Sequence, residues 1–68
     1  MSEQNYFLKI AHDLGIGSKQ VEATVTLLNE GATVPFISRY RKELTGSLDE
    51  VAIIAIRDEI ERLRDLDK

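Results

Sequence analysis

The sequence predicts an all-α fold: a small module of four helices, with a helix-turn-helix-like middle pair and a long last helix. Three observations predict it. Apolar residues recur at spacings of three and four along each stretch between the glycines. The glycines stand singly where those stretches end, as helix stops do. The one β-branched run, VAIIAI, lies inside about 20 residues without Gly or Pro, too long for a strand.

The first helix is expected over about 3–14, with Ser2 as N-cap and Gly15 as the stop. Phe7, Ile10, Ala11 and Leu14 fall on one face. Ile16 is expected to fold back as the hydrophobic contact of a C-terminal cap. Ser18 should cap a second helix over about 19–30, whose inner face is Val21, Val25 and Leu28, with Thr24 and Leu27 beside them. Gly31, Ala32 and Thr33 then leave room only for an abrupt turn. Two helices joined in that way have helix-turn-helix geometry.

The third helix is expected over about 35–44. Pro35 suits a first turn, where a missing N–H loses no bond. Phe36, Ile37, Tyr40 and Leu44 fall on one side, with Arg39, Arg41 and Lys42 on the flanks and back. Ser47 and Glu50 have the spacing of a capping box, so the fourth helix is expected over about 48–66. Ile53, Ile56, Ile60 and Leu63 form its stripe. Phe7, Ile10, Leu14, Val21, Val25, Leu28, Phe36, Ile37, Tyr40 and Leu44 are the expected core.

A chain of 68 residues is one domain at most. It buries about 60% of its unfolded surface, and such a core rarely gives more than ~3–5 kcal/mol. Without cysteine, neither a disulfide nor a thiolate metal site can supplement it. The opening MSEQNYFLKI lacks the basic start and long apolar run of a signal peptide. The longest apolar run, VAIIAI, falls far short of the ~20 residues that span a bilayer. A soluble, cytoplasmic protein is expected. The net charge of −3 argues against a nucleic-acid clamp. It is unevenly spread, however: Arg39, Arg41 and Lys42 against Glu43 make the third helix locally positive, while the segment from Asp49 onward is acidic. A polyanion would meet the third helix.

No chemistry of bond making is encoded. His12 is the only histidine, with no second ligand for a metal, and reads as a solvated helix residue. Glu59, Glu61, Asp65 and Asp67 read as a solvated face rather than a facing acid pair. No nucleophile elbow, triad context or Gly-rich phosphate loop is present. The expectation is no enzyme, no catalytic residue, no metal site and no cofactor.

Arg39, Arg41 and Lys42 are the candidate nucleic-acid-binding residues, holding phosphates from the second helix of a helix-turn-helix. That helix begins with Val34, Pro35, Phe36 and Ile37, none of which can hydrogen-bond a base edge. Backbone contact alone would be open to it. The competing expectation is that these cations pair with carboxylates such as Glu43, four residues from Arg39, or dock the module on a neighbouring domain. Phe36 and Tyr40 could stack on bases, but their shared stripe with Ile37 and Leu44 favours core packing.

The segment GATVPFISRYRKE, with LLNEG before it and LTGSLDE after it, resembles the N-terminal region of the Tex family. These are bacterial transcription accessory factors that share a core with a eukaryotic elongation factor. The resemblance runs from about Ile10 to Leu66, and TVPFISRYRKELTG is its most specific part. It implies a cytoplasmic parent linked to transcription and nucleic-acid binding. In such a parent a nuclease-like domain, a helix-hairpin-helix unit and an OB-fold RNA-binding domain follow this region. Thr33, Val34, Pro35, Phe36, Arg39, Tyr40, Arg41, Lys42 and Glu43 match the family's hallmark segment, which carries no catalytic residue. The chain is thus expected to be one module cut from a longer protein. Its function would be nucleic-acid association, weak and through backbone contacts; the alternative is a docking module that packs against other domains of the parent. The run from Val51 to Ile56 is apolar on all sides, so either the parent covers it or copies self-associate through Ile53, Ile56, Ile60 and Leu63.

Overall fold

The computed structural model describes residues 3–66. Five helices follow one another there: α1 (Glu3–Leu14), α2 (Ser18–Asn29), α3 (Val34–Tyr40), α4 (Lys42–Thr45) and α5 (Glu50–Leu66). The all-α class is as the sequence predicts. The count differs because the expected third helix is divided at Arg41.

Both of the first two helices stop by the same local device. Gly15 N–H bonds the His12 carbonyl at 3.3 Å and Ile16 N–H bonds that of Ala11 at 3.0 Å. Gly31 and Ala32 repeat the pattern on Leu28 and Leu27, at 3.0 and 3.1 Å. These paired bonds are the Schellman cap, which needs a left-handed residue at its turning point. Gly31 supplies it at φ 97°, where a side chain would be strained. Ile16 and Ala32, the residues just beyond each cap, pack against the core. The cap expected from Ser2 lies outside the described residues.

Two caps fall elsewhere than the sequence suggests. Gly17, not Ser18, is the N-cap of α2, and Gln20 Oε1 accepts from its N–H at 2.9 Å. This is only the returning half of a capping box, since glycine has no side chain to give the other half. At α5 the Ser47–Glu50 box does not form. Ser47 sits at φ 67°, in the left-handed region, whereas an N-cap residue is extended. Asp49 caps instead, its Oδ1 accepting from Ala52 N–H at 2.8 Å.

The division at Arg41 is compensated by Arg41 itself. Its backbone, at φ −127° and ψ 30°, has left the helical region. The Leu44 N–H, which would continue a helix on the Tyr40 carbonyl, bonds Arg41 O at 3.1 Å. Tyr40 O is thereby left without its helical donor, and Arg41 Nη1 takes that place at 3.0 Å.

α5 is the centre of the packing, in contact with α1, α2 and α3. Ile53, Ile56, Ile60 and Leu63 are its buried stripe, joined by Ile10, Val21, Val25 and Ile37. Each fully buried isoleucine contributes roughly 1.5–3 kcal/mol relative to exposure. The stripe is therefore interior to one chain and offers no surface for pairing between copies, which corrects the self-association expected through it. Ile54 of the same run packs against the core, while Val51 is exposed.

Four residues of the expected core lie outside it: Leu14, Phe36, Tyr40 and Leu44 are exposed. Leu28 is partly buried against it. Tyr6, Phe7, Ala11, Leu27, Val34 and Leu48 complete the apolar interior. Among the described residues no helix is long and apolar enough to cross a membrane.

Candidate functional site

Local chemistry at the start of α3 sets which residues face outward. Thr33 Oγ1 accepts from Phe36 N–H at 3.3 Å, and Pro35 occupies the first turn. These fix the phase of a helix only seven residues long. It has room to bury one stripe. Val34 and Ile37, three apart, turn inward, and Ile37 is fully buried. Phe36 and Tyr40, four apart, form the competing stripe and are left outside, 39% and 60% exposed.

The two rings touch across the outer face of α3, their centroids 5.3 Å apart and tilted by 47°. That is within the range of a favourable aromatic pair. The Arg41 guanidinium lies over the Phe36 ring, 5.0 Å from its centroid, a cation–π contact. Beside them runs an open groove of about 420 Å³ between the end of α2 and the start of α3. It is lined by Leu27, Glu30, Gly31, Ala32, Thr33, Phe36 and Arg41.

The expected nucleic-acid-binding residues stand on this same segment. Arg39 and Lys42 are exposed and Arg41 is half-buried. The described ion pairs lie elsewhere: Lys9–Asp13 at 3.7 Å, Arg57–Asp58 at 3.3 Å and Arg62–Glu59 at 2.7 Å. Arg39 and Glu43 do not pair, because the break at Arg41 interrupts the helical spacing that would align them. The segment thus keeps its positive charge unpaired with carboxylates, while Asp13 of α1 and Asp58 and Glu59 of α5 are paired with other cations. The hydrogen bond from Arg62 holds the Glu59 carboxyl below the usual glutamate range; burial opposes it, and the charges of Arg62 and Lys9 add to the lowering.

The remaining candidates come together in no site. His12 is exposed in the last turn of α1. Among the described residues no three His, Cys, Asp or Glu side chains cluster as metal ligands would. Sequence reasoning missed the open aromatic pair, since periodicity alone cannot say which of two stripes on a short helix finds a neighbour. The signal that could have found it was the presence of both stripes in VPFISRY.

Residues 4–68 match the family model described as Tex-like protein N-terminal domain. The chain is 47% identical over 60 residues to uncharacterized protein YdcI of Bacillus subtilis, covering 88% of this chain and 8% of that relative. It is 41% identical over 59 residues to transcriptional accessory protein Tex of Neisseria gonorrhoeae, covering 87% of this chain and 8% of the relative. It is also 44% identical over 41 residues to S1 RNA-binding domain-containing protein 1 of Pongo abelii, covering 60% of this chain and 4% of the relative. The chain therefore spans less than a tenth of the length of these relatives. No solved structure matches it.

Proposed function

Because the chain belongs to the Tex-like protein N-terminal domain family, we propose that it is a non-catalytic module contributing to nucleic-acid association in a cytoplasmic transcription accessory protein. One observation carries this: Arg39, Arg41 and Lys42 lie within four residues of one another and none is ion-paired with a carboxylate among the described residues. The names of two relatives, one a transcriptional accessory protein and one bearing an S1 RNA-binding domain, support it for the parent. Phosphates are the natural partners of guanidinium and ammonium groups that hold no carboxylate, although Arg41 also gives one donor to the Tyr40 carbonyl. The α2–α3 pair would then act in helix-turn-helix fashion only as a backbone clamp, because Val34 and Ile37 are buried and Pro35 and Phe36 offer no base-edge hydrogen bond.

Titration of labelled RNA and DNA at several salt concentrations tests this. Binding should be weak, roughly micromolar or poorer at physiological salt. The logarithm of affinity should fall against that of salt with a slope of about −2 to −3, as for three phosphates. Replacing Arg39, Arg41 and Lys42 together with glutamine should flatten that slope. An unchanged slope would sink the proposal.

A second reading, docking on other parts of the parent, is favoured by Leu44 and Val51, which are exposed but neither basic nor aromatic. It requires Leu44→Ser to weaken assembly with the rest of the parent while leaving nucleic-acid titrations unchanged.

A further inference from the structure

We propose that Gln20 is a positioning residue for the basic segment. By holding the Thr45 carbonyl it keeps α3 and α4 divided at Arg41, and so keeps Arg39 from pairing with Glu43. The role rests on the nucleic-acid reading above, since it concerns which cations the segment can offer to phosphates.

Local chemistry alone favours one continuous helix there. Residues 36–45, FISRYRKELT, contain neither glycine nor proline, and Arg, Lys, Glu and Leu are good helix formers. An unbroken helix would also bring Arg39 and Glu43, four residues apart, together on one face, where opposite charges attract. The break therefore needs a hold from outside the segment. Gln20 of α2 supplies it, its Nε2 donating to the Thr45 carbonyl at 2.9 Å. The Thr45 side chain is fully buried, yet its hydroxyl finds no partner among the described residues, so it adds no polar hold of its own. Gly46 leaves space for the amide, because a Cβ there would collide with Gln20 Nε2. Within the segment, Arg41 Nη1 satisfies the Tyr40 carbonyl that the break deprives of its helical donor, at 3.0 Å. With the break open, Arg39 and Glu43 are both exposed and make no ion pair with each other.

Two variants remove the hold in different ways. Gln20→Leu loses both the bond to Thr45 and the cap of α2. Gln20→Glu keeps an acceptor for Gly17 N–H, but an ionised carboxylate has no hydrogen to donate to Thr45. A carboxylate in the first turn of α2 is favoured by the helix dipole, so this variant keeps the fold where Gln20→Leu does not; circular dichroism checks both. Backbone Cα chemical shifts read the break directly. Arg41, outside the helical region at φ −127°, should move to helical values in the folded variants. Labelled RNA and DNA oligonucleotides of mixed sequence should then bind about two-fold more weakly or worse, the effect of one new pair at that spacing. Glu43→Gln should recover about two-fold in either Gln20 variant and leave the unaltered chain nearly as it was. A loss of structure alone would not be recovered in that way. Arg41 shifts that stay non-helical in a folded variant overturn the proposal, as does Glu43→Gln acting equally in both backgrounds. If the unaltered chain binds neither RNA nor DNA, the nucleic-acid reading falls, while the Arg41 shifts still uphold or overturn the hold of Gln20 on the break.

Discussion

Gln20 Nε2 donates to the Thr45 carbonyl at 2.9 Å, joining residues 25 apart in sequence. The other end of the same amide accepts from Gly17 N–H, also at 2.9 Å. One side chain therefore caps α2 and ties it to the end of α4, the short helix that carries Lys42. A contact of α2 thus holds the downstream end of the basic segment.

Gln20→Leu should destabilise the fold by about 1–3 kcal/mol, because the part-buried Thr45 carbonyl loses its donor as well as the cap being lost. Gly46→Ala should cost more than Gly15→Ala. Both glycines have positive φ, but only at Gly46 would a Cβ run into the Gln20 amide. Urea denaturation of the four proteins checks both statements; equal costs at the two glycines would remove the clasp from the account.

Ile37→Ala and Phe36→Ala should differ sharply although they are neighbours. Ile37 is fully buried, so its truncation should cost about 2–5 kcal/mol, comparable to the whole stability of so small a domain. Phe36 is open to solvent and loses chiefly its contacts with Tyr40 and Arg41, so a cost below about 1.5 kcal/mol is expected. Comparable losses in thermal or chemical melts would mean that Phe36 is interior.

Ile60→Glu should abolish folding rather than dissolve a dimer. Ile60 lies in the buried stripe of α5, where an unpaired carboxylate has no partner and no water. Circular dichroism should show a largely unfolded chain. A folded variant whose sedimentation alone changes would place that stripe at a surface between copies.

Protonation of Glu59 should be harder in the folded chain than in the unfolded one, since the hydrogen bond from Arg62 favours the carboxylate. A lowered folded pKa gives stability that is present above the unfolded value, about 4.3, and lost as pH falls through the folded value. The pair is exposed, so the effect on stability is small. Carboxyl titration by NMR should place Glu59 below an ordinary glutamate, and Arg62→Gln should return it upward. A Glu59 titration indifferent to Arg62→Gln would show that the pair is not formed in solution.

What the sequence determined by itself was what local chemistry controls. The stops of α1 and α2 at Gly15 and Gly31, the stripe of Ile53, Ile56, Ile60 and Leu63, and the basic character of the segment from Arg39 to Lys42 are all legible from spacing and from residues suited to one backbone conformation. Each depends on neighbours within about one or two helical turns. The tertiary structure alone decided the rest. No glycine or proline marks the break at Arg41; it coincides with the hold of Gln20 on Thr45 and with the rescue of the Tyr40 carbonyl by the Arg41 side chain. The stripe of α5 turned out to be covered by the chain's own helices, and Phe36 and Tyr40 to be left open. Periodicity gives a helix its apolar faces but not its neighbours. With two stripes on seven residues, the one that met α5 became core, and the other became the surface on which the candidate site stands.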